Sequence, residues 1–305
     1  MNNIQHQLAV QEAVKEKFKG STTLKCRTKP KYPSSAEREF QRVTNAFMKM
    51  VYTTLKAHLP AIIKAYQNKS YGDSRFDDIT DIKGRIDDEF HDIGRELEKL
   101  ISEFGLERFL EKVGGMAKNT SLREWKKAVK QTLGIDLLDD YYKGDFYALQ
   151  LRKWVEENVS KIKSIPNESL AEMKDVILDG YLNGKSVKTI QREIQDRYNV
   201  SKSKALAIAR DQIGTLNALI TKTQQKDAGC NKYRWSSSGD SRVRDCHREL
   251  NKKVFSWDDP PEMWYISKKN GKVFTGRKCH PGEDYGCRCV AIPEFEIDSL
   301  NVPMK

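Results

Sequence analysis

The stretch GCNKYRWSSSGDSRVRDCH, residues 229–247, decides the fold. Before it, apolar residues recur at steps of three and four, the period of amphipathic helices. From it onward, Tyr233, Trp235, Val254, Phe255, Trp257, Trp264, Tyr265, Val273 and Phe274 come in short runs broken by Gly, Pro, Asp and Ser, the pattern of short strands and turns. Within the stretch, Lys232 to Ser237 reads as a strand and Ser238-Gly239 as a turn. Asp240 is placed to cap a helical turn bearing Arg244 and His247. The expected class is α+β: a mainly helical body followed by a small mixed module at residues 229–305.

Upstream, Ser34-Ser35-Ala36-Glu37 reads as a capping box, in which hydroxyl and carboxylate satisfy orphan N–H groups at a helix start. Phe40, Val43, Phe47, Met50 and Leu55 continue that helix to about His58, where Pro60 is expected to disturb it. Ile82, Ile86, Phe90, Ile93, Leu97, Leu100 and Phe104 share one face of a second long helix. Leu106 to Val113 form another, expected to stop at Gly114-Gly115, with a second cap signature at Ser121 to Glu124. Further helices are expected to end at Pro166-Asn167 and near Gly180, to start at Ser186, and to start again at Ser201 or Ser203. Pro30 and Pro33 bracket the end of a basic arm at 1–33 (a short helix from Ile4 to Phe18, then extended chain).

The chain has 305 residues, 38% of them hydrophobic and 32% charged, enough to bury a core and too aromatic for wholesale disorder. No run approaches the ~18 apolar residues of a membrane span, and Met1 to Gly20 has no apolar stretch of secretory-signal type. Membrane and exported classes are therefore not expected. With 54 Lys+Arg against 43 Asp+Glu, the net charge of +11 favours polyanionic partners. The candidate nucleic-acid contacts are Lys15, Lys17, Lys19, Lys25, Arg27, Lys29 and Lys31 of the arm. DNA, RNA or an acidic protein surface would each suit that charge; these bases carry no interleaved aromatics, so with nucleic acid the expected mode is phosphate contact with weak sequence preference and steep salt sensitivity.

Five of the six cysteines lie in the final module: Cys230, Cys246, Cys279, Cys287 and Cys289. In extended chain, residues i and i+2 share a face, so Cys287 and Cys289 point together while Arg288 points away. With Cys279 or His280 across a turn, and His247 or Cys246, they make a sulfur–nitrogen set of the kind tetrahedral zinc requires. Cys279, His247, Cys287 and Cys289 are the metal candidates, for a structural zinc. A disulfide from Cys279 to Cys287 or Cys289, or buried free thiols, are the alternatives. A metal-dependent nuclease or hydrolase with His247 as base is the other chemical reading of the cluster. No phosphate-binding glycine loop, dinucleotide fingerprint or zinc-protease motif is present.

Taken in order, Arg210 in a helix, Trp235 in a strand, Asp240-Ser241-Arg242-Val243-Arg244, His247 and the closing Cys287-Arg288-Cys289 resemble the phage head morphogenesis, or minor capsid, family typified by protein F of phage Mu and gene product 7 of phage SPP1. Asp211-Gln212 stands where that family usually has Thr-Glu. Leu250-Asn251-Lys252 replaces a glycine turn, and Cys279-His280-Pro281 with Glu283-Asp284 is inserted before the last motif. The resemblance implies a virion component without enzymatic activity, acting in capsid assembly and in DNA packaging or ejection. It covers about residues 160–305, which sets a helical domain at 34–160 before a minor capsid domain at 161–305, and it implies the portal protein, a capsid or scaffolding protein and double-stranded DNA, bound without sequence preference, as partners. It also implies a place at the portal vertex or capsid interior, after a stay in the host cytoplasm during assembly.

Overall fold

The computed structural model describes residues 3–67, 75–137, 145–183 and 185–302. The helical part comprises α1 (Asn3–Lys17), α2 (Ser34–Gln67), α3 (Arg75–Glu103), α4 (Leu106–Leu133), α5 (Asp145–Leu182) and α6 (Val187–Asp227), with the short strand β1 (Thr23–Lys25) after α1. The remainder holds β2 (Lys232–Ser236), α7 (Asp245–Leu250), β3 (Val254–Ser256), β4 (Glu262–Ser267), β5 (Gly271–Lys278), β6 (Val290–Glu296) and a 3-10 turn at Ile297–Ser299. A helical body followed by a small α+β module is thus what the chain forms. No described helix is long and apolar enough to cross a membrane.

Several expected helix ends are absent, and each has a physical reason. Pro60 and Pro166 lie inside α2 and α5. An interior proline costs about 3 kcal/mol, but buried Ile62, Ile165 and Leu170 flank these two and continue the apolar stripes. Gly114 does not stop α4 either: an added methyl there would collide with Leu151 and crowd Trp154 of α5, so this glycine permits close helix approach. Ser201 is no helix start, since its buried hydroxyl bonds the Ser169 hydroxyl at 3.1 Å in the middle of α6. The Ser186 cap is present, its oxygen accepting the Thr189 N–H at 3.2 Å. The α3 stripe is buried at Ile86, Phe90, Ile93 and Leu97, while the Ile82 side chain lies outside the described residues.

Packing divides the chain into two units, one of residues 1–38, 112–154 and 210–305, the other of residues 39–111 and 155–209. These are not the consecutive blocks 1–33, 34–160 and 161–305, because α2, α4, α5 and α6 each contribute residues to both units.

In the second unit Phe47 meets Phe104 edge-on at 5.3 Å, and Tyr52 stacks on Tyr198 at 4.2 Å. His58 sits between two carboxylates, Nε2 at 3.0 Å from Glu96 and Nδ1 at 3.4 Å from Glu89. Both partners are acceptors, so the doubly protonated ring fits best, and the hydrogen bond to Glu96 holds the His58 pKa above its ordinary value despite partial burial. A raised folded-state pKa stabilises fully below the unfolded value of about 6.5, and that contribution is lost as pH rises through the folded value. His58→Ala should therefore cost about 0.5–1 kcal/mol near pH 6 and almost nothing well above the raised pKa. Urea unfolding of both proteins at the two pH values checks this; an equal cost at both would remove the clamp.

The first unit contains the sheet, antiparallel in the order β1-β6-β2-β3. Strand β6 runs between β1 (Thr23 opposite Glu296) and β2 (Trp235 opposite Ala291), and its residues Val290 to Phe295 are buried. On β2 the period of two puts Tyr233 and Trp235, both fully buried, on one face. Each such ring removes about 150–250 Å² from water, roughly 4–6 kcal/mol before ordering costs. Around them pack Trp257, Met263, Leu250 and four of the cysteines. Strands β4 and β5 form a separate hairpin with Trp264 opposite Phe274. Phe295 of β6 stacks at 5.9 Å on Trp125 of α4, joining sheet to helix within this unit.

Candidate metal centre

Strand β2 delivers Trp235 to the site, and the chain turns at Gly239 with φ of +79°. Asp240 does not cap α7. Its carboxylate accepts the Arg242 N–H at 3.0 Å and its carbonyl the Val243 N–H at 3.2 Å, closing a turn ahead of the helix. Arg244 occupies the cap position in extended conformation, and α7 then turns Cys246, His247 and Leu250 inward.

Opposite α7 lies the loop at residues 279–289. It is folded by backbone bonds from Glu283 N–H to the His280 carbonyl (3.1 Å) and from Cys287 N–H to the Asp284 carbonyl (2.9 Å). Gly282 (φ +94°) and Gly286 (φ +59°) take conformations that favour glycine. Gly282 lies against Gly214 of α6, close enough that a methyl on either would press on the other's carbonyl oxygen.

The loop brings Cys287 and Cys289 to His247. Nδ1 of His247 lies 3.7 Å from each sulfur, and one donor atom from each of the three residues falls within 4.8 Å of the others. All three residues are buried. The other ring nitrogen, Nε2, lies 3.1 Å from Asp284 Oδ2. An ionised carboxylate only accepts, so Nε2 carries the proton and Nδ1 is the atom turned to the sulfurs. Asp284 is buried to 4% exposure, yet it also accepts Arg244 Nη1 and Arg277 Nη1, each at 2.9 Å. Burial opposes ionisation of Asp284, but the His247 bond and the Arg244 charge outweigh it and hold the carboxyl at about 2. Burial likewise opposes charge on His247, but Asp284 and Cys287 raise it to about 9. In the thiol pair, contact with Cys289 and burial push Cys287 up. Cys289 is lowered, first by Cys287 and, after the opposing effect of burial, by the Trp235 indole and the Ser238 N–H. The Trp235 Nε1 has no oxygen or nitrogen acceptor, and the Cys289 sulfur is the group it acts on.

Arg288 points away from the sulfurs, as the alternation expects. Its Nε donates to Glu37 Oε2 at 2.9 Å and its Nη2 to Glu37 Oε1, while Arg210 Nε reaches Glu37 Oε1 at 3.4 Å. Burial would raise the Glu37 pKa, but Arg288 holds it below the ordinary range. Between α7, the Asp240 turn and the 279–289 loop lies a cleft of about 200 Å³. Arg210, Arg242, Arg244 and Arg288 line it together with His247, Cys287, Cys289 and Asp240.

Cys279 does not join the donor set. It is buried, and burial pushes its thiol up to about 11. Cys246 faces the Met263 sulfur at 4.0 Å, and His280 bonds the Tyr233 hydroxyl at 2.9 Å and lies 3.3 Å from Lys222 Nζ. All six cysteines are free thiols and buried, so neither disulfide pairing is formed. The N-terminal bases do not make a free arm. Lys15 pairs with Asp298 at 2.7 Å, and Lys17 and Lys29 donate to the Leu133 and Ser237 carbonyls at 3.3 and 2.7 Å. Lys25 lies in β1, and Lys19, Lys25, Arg27 and Lys31 are exposed.

Asp284, Arg277 and Glu37 are the residues that reading the sequence misses. Asp284 hides in what looks like an acidic insertion. Glu37 reads as a capping residue, and nothing local signals a partner 251 positions away.

Residues 171–292 match the model of the family described as Phage Mu protein F like protein, which agrees with the resemblance drawn from the motifs. An uncharacterized protein of Haemophilus influenzae is 30% identical over 168 residues, 55% of this chain and 34% of that protein. An NAD(+)–arginine ADP-ribosyltransferase of Enterococcus faecalis is 31% identical over 139 residues, 42% of this chain and 28% of that protein. The chain thus spans about a third or less of the length of these relatives. No solved structure matches.

Proposed function

We propose, from the premise that residues 171–292 are a Mu protein F-like segment of a phage head morphogenesis family, that this chain is a minor head protein. In this reading it assembles at the portal vertex with the portal protein and a capsid or scaffolding protein. It acts there in capsid assembly and in DNA packaging or ejection, and it is not an enzyme. It resides in the host cytoplasm during assembly and in the virion afterwards. The carrying observation is that the family match falls on the segment that supplies Arg210, Trp235, Asp240, Arg242, Arg244, His247, Cys287, Arg288 and Cys289.

Two physical features support contact with double-stranded DNA. The net charge is +11, and the four arginines that line one cleft outnumber the carboxylates that pair with them, Glu37 for Arg210 and Arg288, Asp284 for Arg244 and Asp240 for Arg242. The bases Lys19, Lys25, Arg27 and Lys31 are exposed and add to the positive charge available to a polyanion. Lysine and arginine on phosphate release condensed counterions, so such binding ignores sequence and weakens steeply with salt.

The test is co-expression with the portal protein, together with DNA mobility shifts across salt. Co-purification is expected. So is binding to unrelated duplexes that falls about 10–1,000-fold between 50 and 200 mM salt. Absence of portal association, with no DNA binding even at the lowest salt, would end this reading. Cleavage of the DNA in the presence of divalent metal would favour the hydrolase instead.

A further inference from the structure

We propose that His247 Nδ1, Cys287 Sγ and Cys289 Sγ bind one zinc ion, and that its fourth coordination position opens onto the arginine-lined cleft and holds an exchangeable ligand. The proposal is independent of the head-protein reading, since either can fail alone.

Geometry is the first argument. With Zn–S of about 2.3 Å and Zn–N of about 2.0–2.1 Å, a tetrahedral centre separates nitrogen from sulfur by about 3.6 Å. His247 Nδ1 stands 3.7 Å from both sulfurs. Both nitrogen–sulfur distances, between α7 and the closing loop, are therefore already near the edge length of a tetrahedron, and the two sulfurs lie within 4.8 Å of each other. The second argument is the outer shell. Zinc-bound histidine ordinarily gives its other N–H to a carboxylate, which fixes ring and tautomer, and Asp284 occupies that place at 3.1 Å. Asp284 is in turn held by Arg244 and Arg277. A sulfur-rich donor set with one imidazole selects zinc over the oxygen-seeking magnesium and calcium. On binding, the two thiols and the Nδ1 of the charged His247 ring release their protons to solvent, leaving two thiolates and a neutral imidazole as ligands. Nε2 keeps its proton on Asp284.

The open position follows from what surrounds the three donors. Among the described residues no fourth His, Cys, Asp or Glu brings a donor atom into the group. Asp284 is engaged by three donors, Cys246 faces Met263, and His280 faces Tyr233 and Lys222. All three ligands also line the cleft, where Arg210, Arg242, Arg244 and Arg288 favour an oxyanion. Water or a phosphate-type anion is the occupant this chemistry selects.

The full chain, purified under reducing conditions without chelator, should contain about one zinc per molecule by elemental analysis. Replaced by cobalt, the site should show thiolate-to-cobalt charge-transfer bands and the intense visible bands of a tetrahedral centre. Those visible bands should shift on titration with azide or inorganic phosphate. Cys246→Ser and Cys279→Ser should retain the metal, whereas Cys289→Ser should lose it. Because Cys289→Ser also puts a hydroxyl into the packed core of the module, the wild-type cobalt spectrum decides. Folded protein with negligible zinc and no charge-transfer band overturns the site. Cobalt bands unmoved by saturating azide and phosphate, or metal lost in Cys279→Ser, overturn the open position.

Discussion

Asp284→Ala should lower the unfolding free energy by about 2–4 kcal/mol, more than any other single change in the site. The carboxylate is 4% exposed and accepts bonds from His247, Arg244 and Arg277. Removing one member of a buried charge network leaves the others uncompensated, at a cost of about 3–5 kcal/mol. The expected figure is somewhat smaller because the side chains of Arg244 and Arg277 are 48% and 45% exposed and can turn to water. His247 cannot: its side chain is 4% exposed, and its Nε2 proton would lose its acceptor. Asp284→Asn keeps an acceptor oxygen and should lose distinctly less. Denaturant unfolding of both variants, with and without chelator, separates these cases. A loss below about 1 kcal/mol for alanine would mean that the network is ornamental.

Gly214→Ala should cost about 1–3 kcal/mol, although alanine favours helix by about 1 kcal/mol. Its methyl carbon would stand 2.7 Å from the Cys287 carbonyl oxygen and 3.0 Å from that of Gly282. Both obstacles are main chain, so the loop must retreat from α6, and the backbone of Cys287 carries a donor sulfur with it. Gly115→Ala is the control. It lies inside α4 with nothing within 4 Å of the added carbon and should stabilise by about 0.5–1 kcal/mol. Unfolding midpoints and near-ultraviolet dichroism of the buried tryptophans report both. If Gly214→Ala proved as benign as Gly115→Ala, the close contact would be dismissed.

The helices and the strand-rich module are legible because burial imposes a period. The stripe from Ile86 to Leu97 and the Tyr233/Trp235 alternation are direct consequences of one face being packed. Helix ends are less legible. Pro60, Pro166 and Gly114 are ordinary stop signals, and local propensity loses there to packing that only the folded chain supplies. The site divides in the same way. The i, i+2 rule puts Cys287 and Cys289 together, and the motif order singles out His247. Which cysteine completes the set is a question of distance, and spacing alone wrongly brings in Cys279. Glu37 and Asp284 are visible only once remote segments meet.

Strand β6 is one of the two inner strands of its sheet and follows every other described strand in sequence. On a ribosome, β1 emerges early, and β2 and β3 much later; β2 can pair with β3 at once, yet β1 has no partner strand and β2 lacks its second one until Val290 to Glu296 has left the exit tunnel. Thr23 must then find Glu296 across almost the whole length of the polypeptide. The entropy of closing so long a loop makes that a slow, late event. The nascent molecule therefore has its helices ready while its cysteine-bearing module still waits for β6.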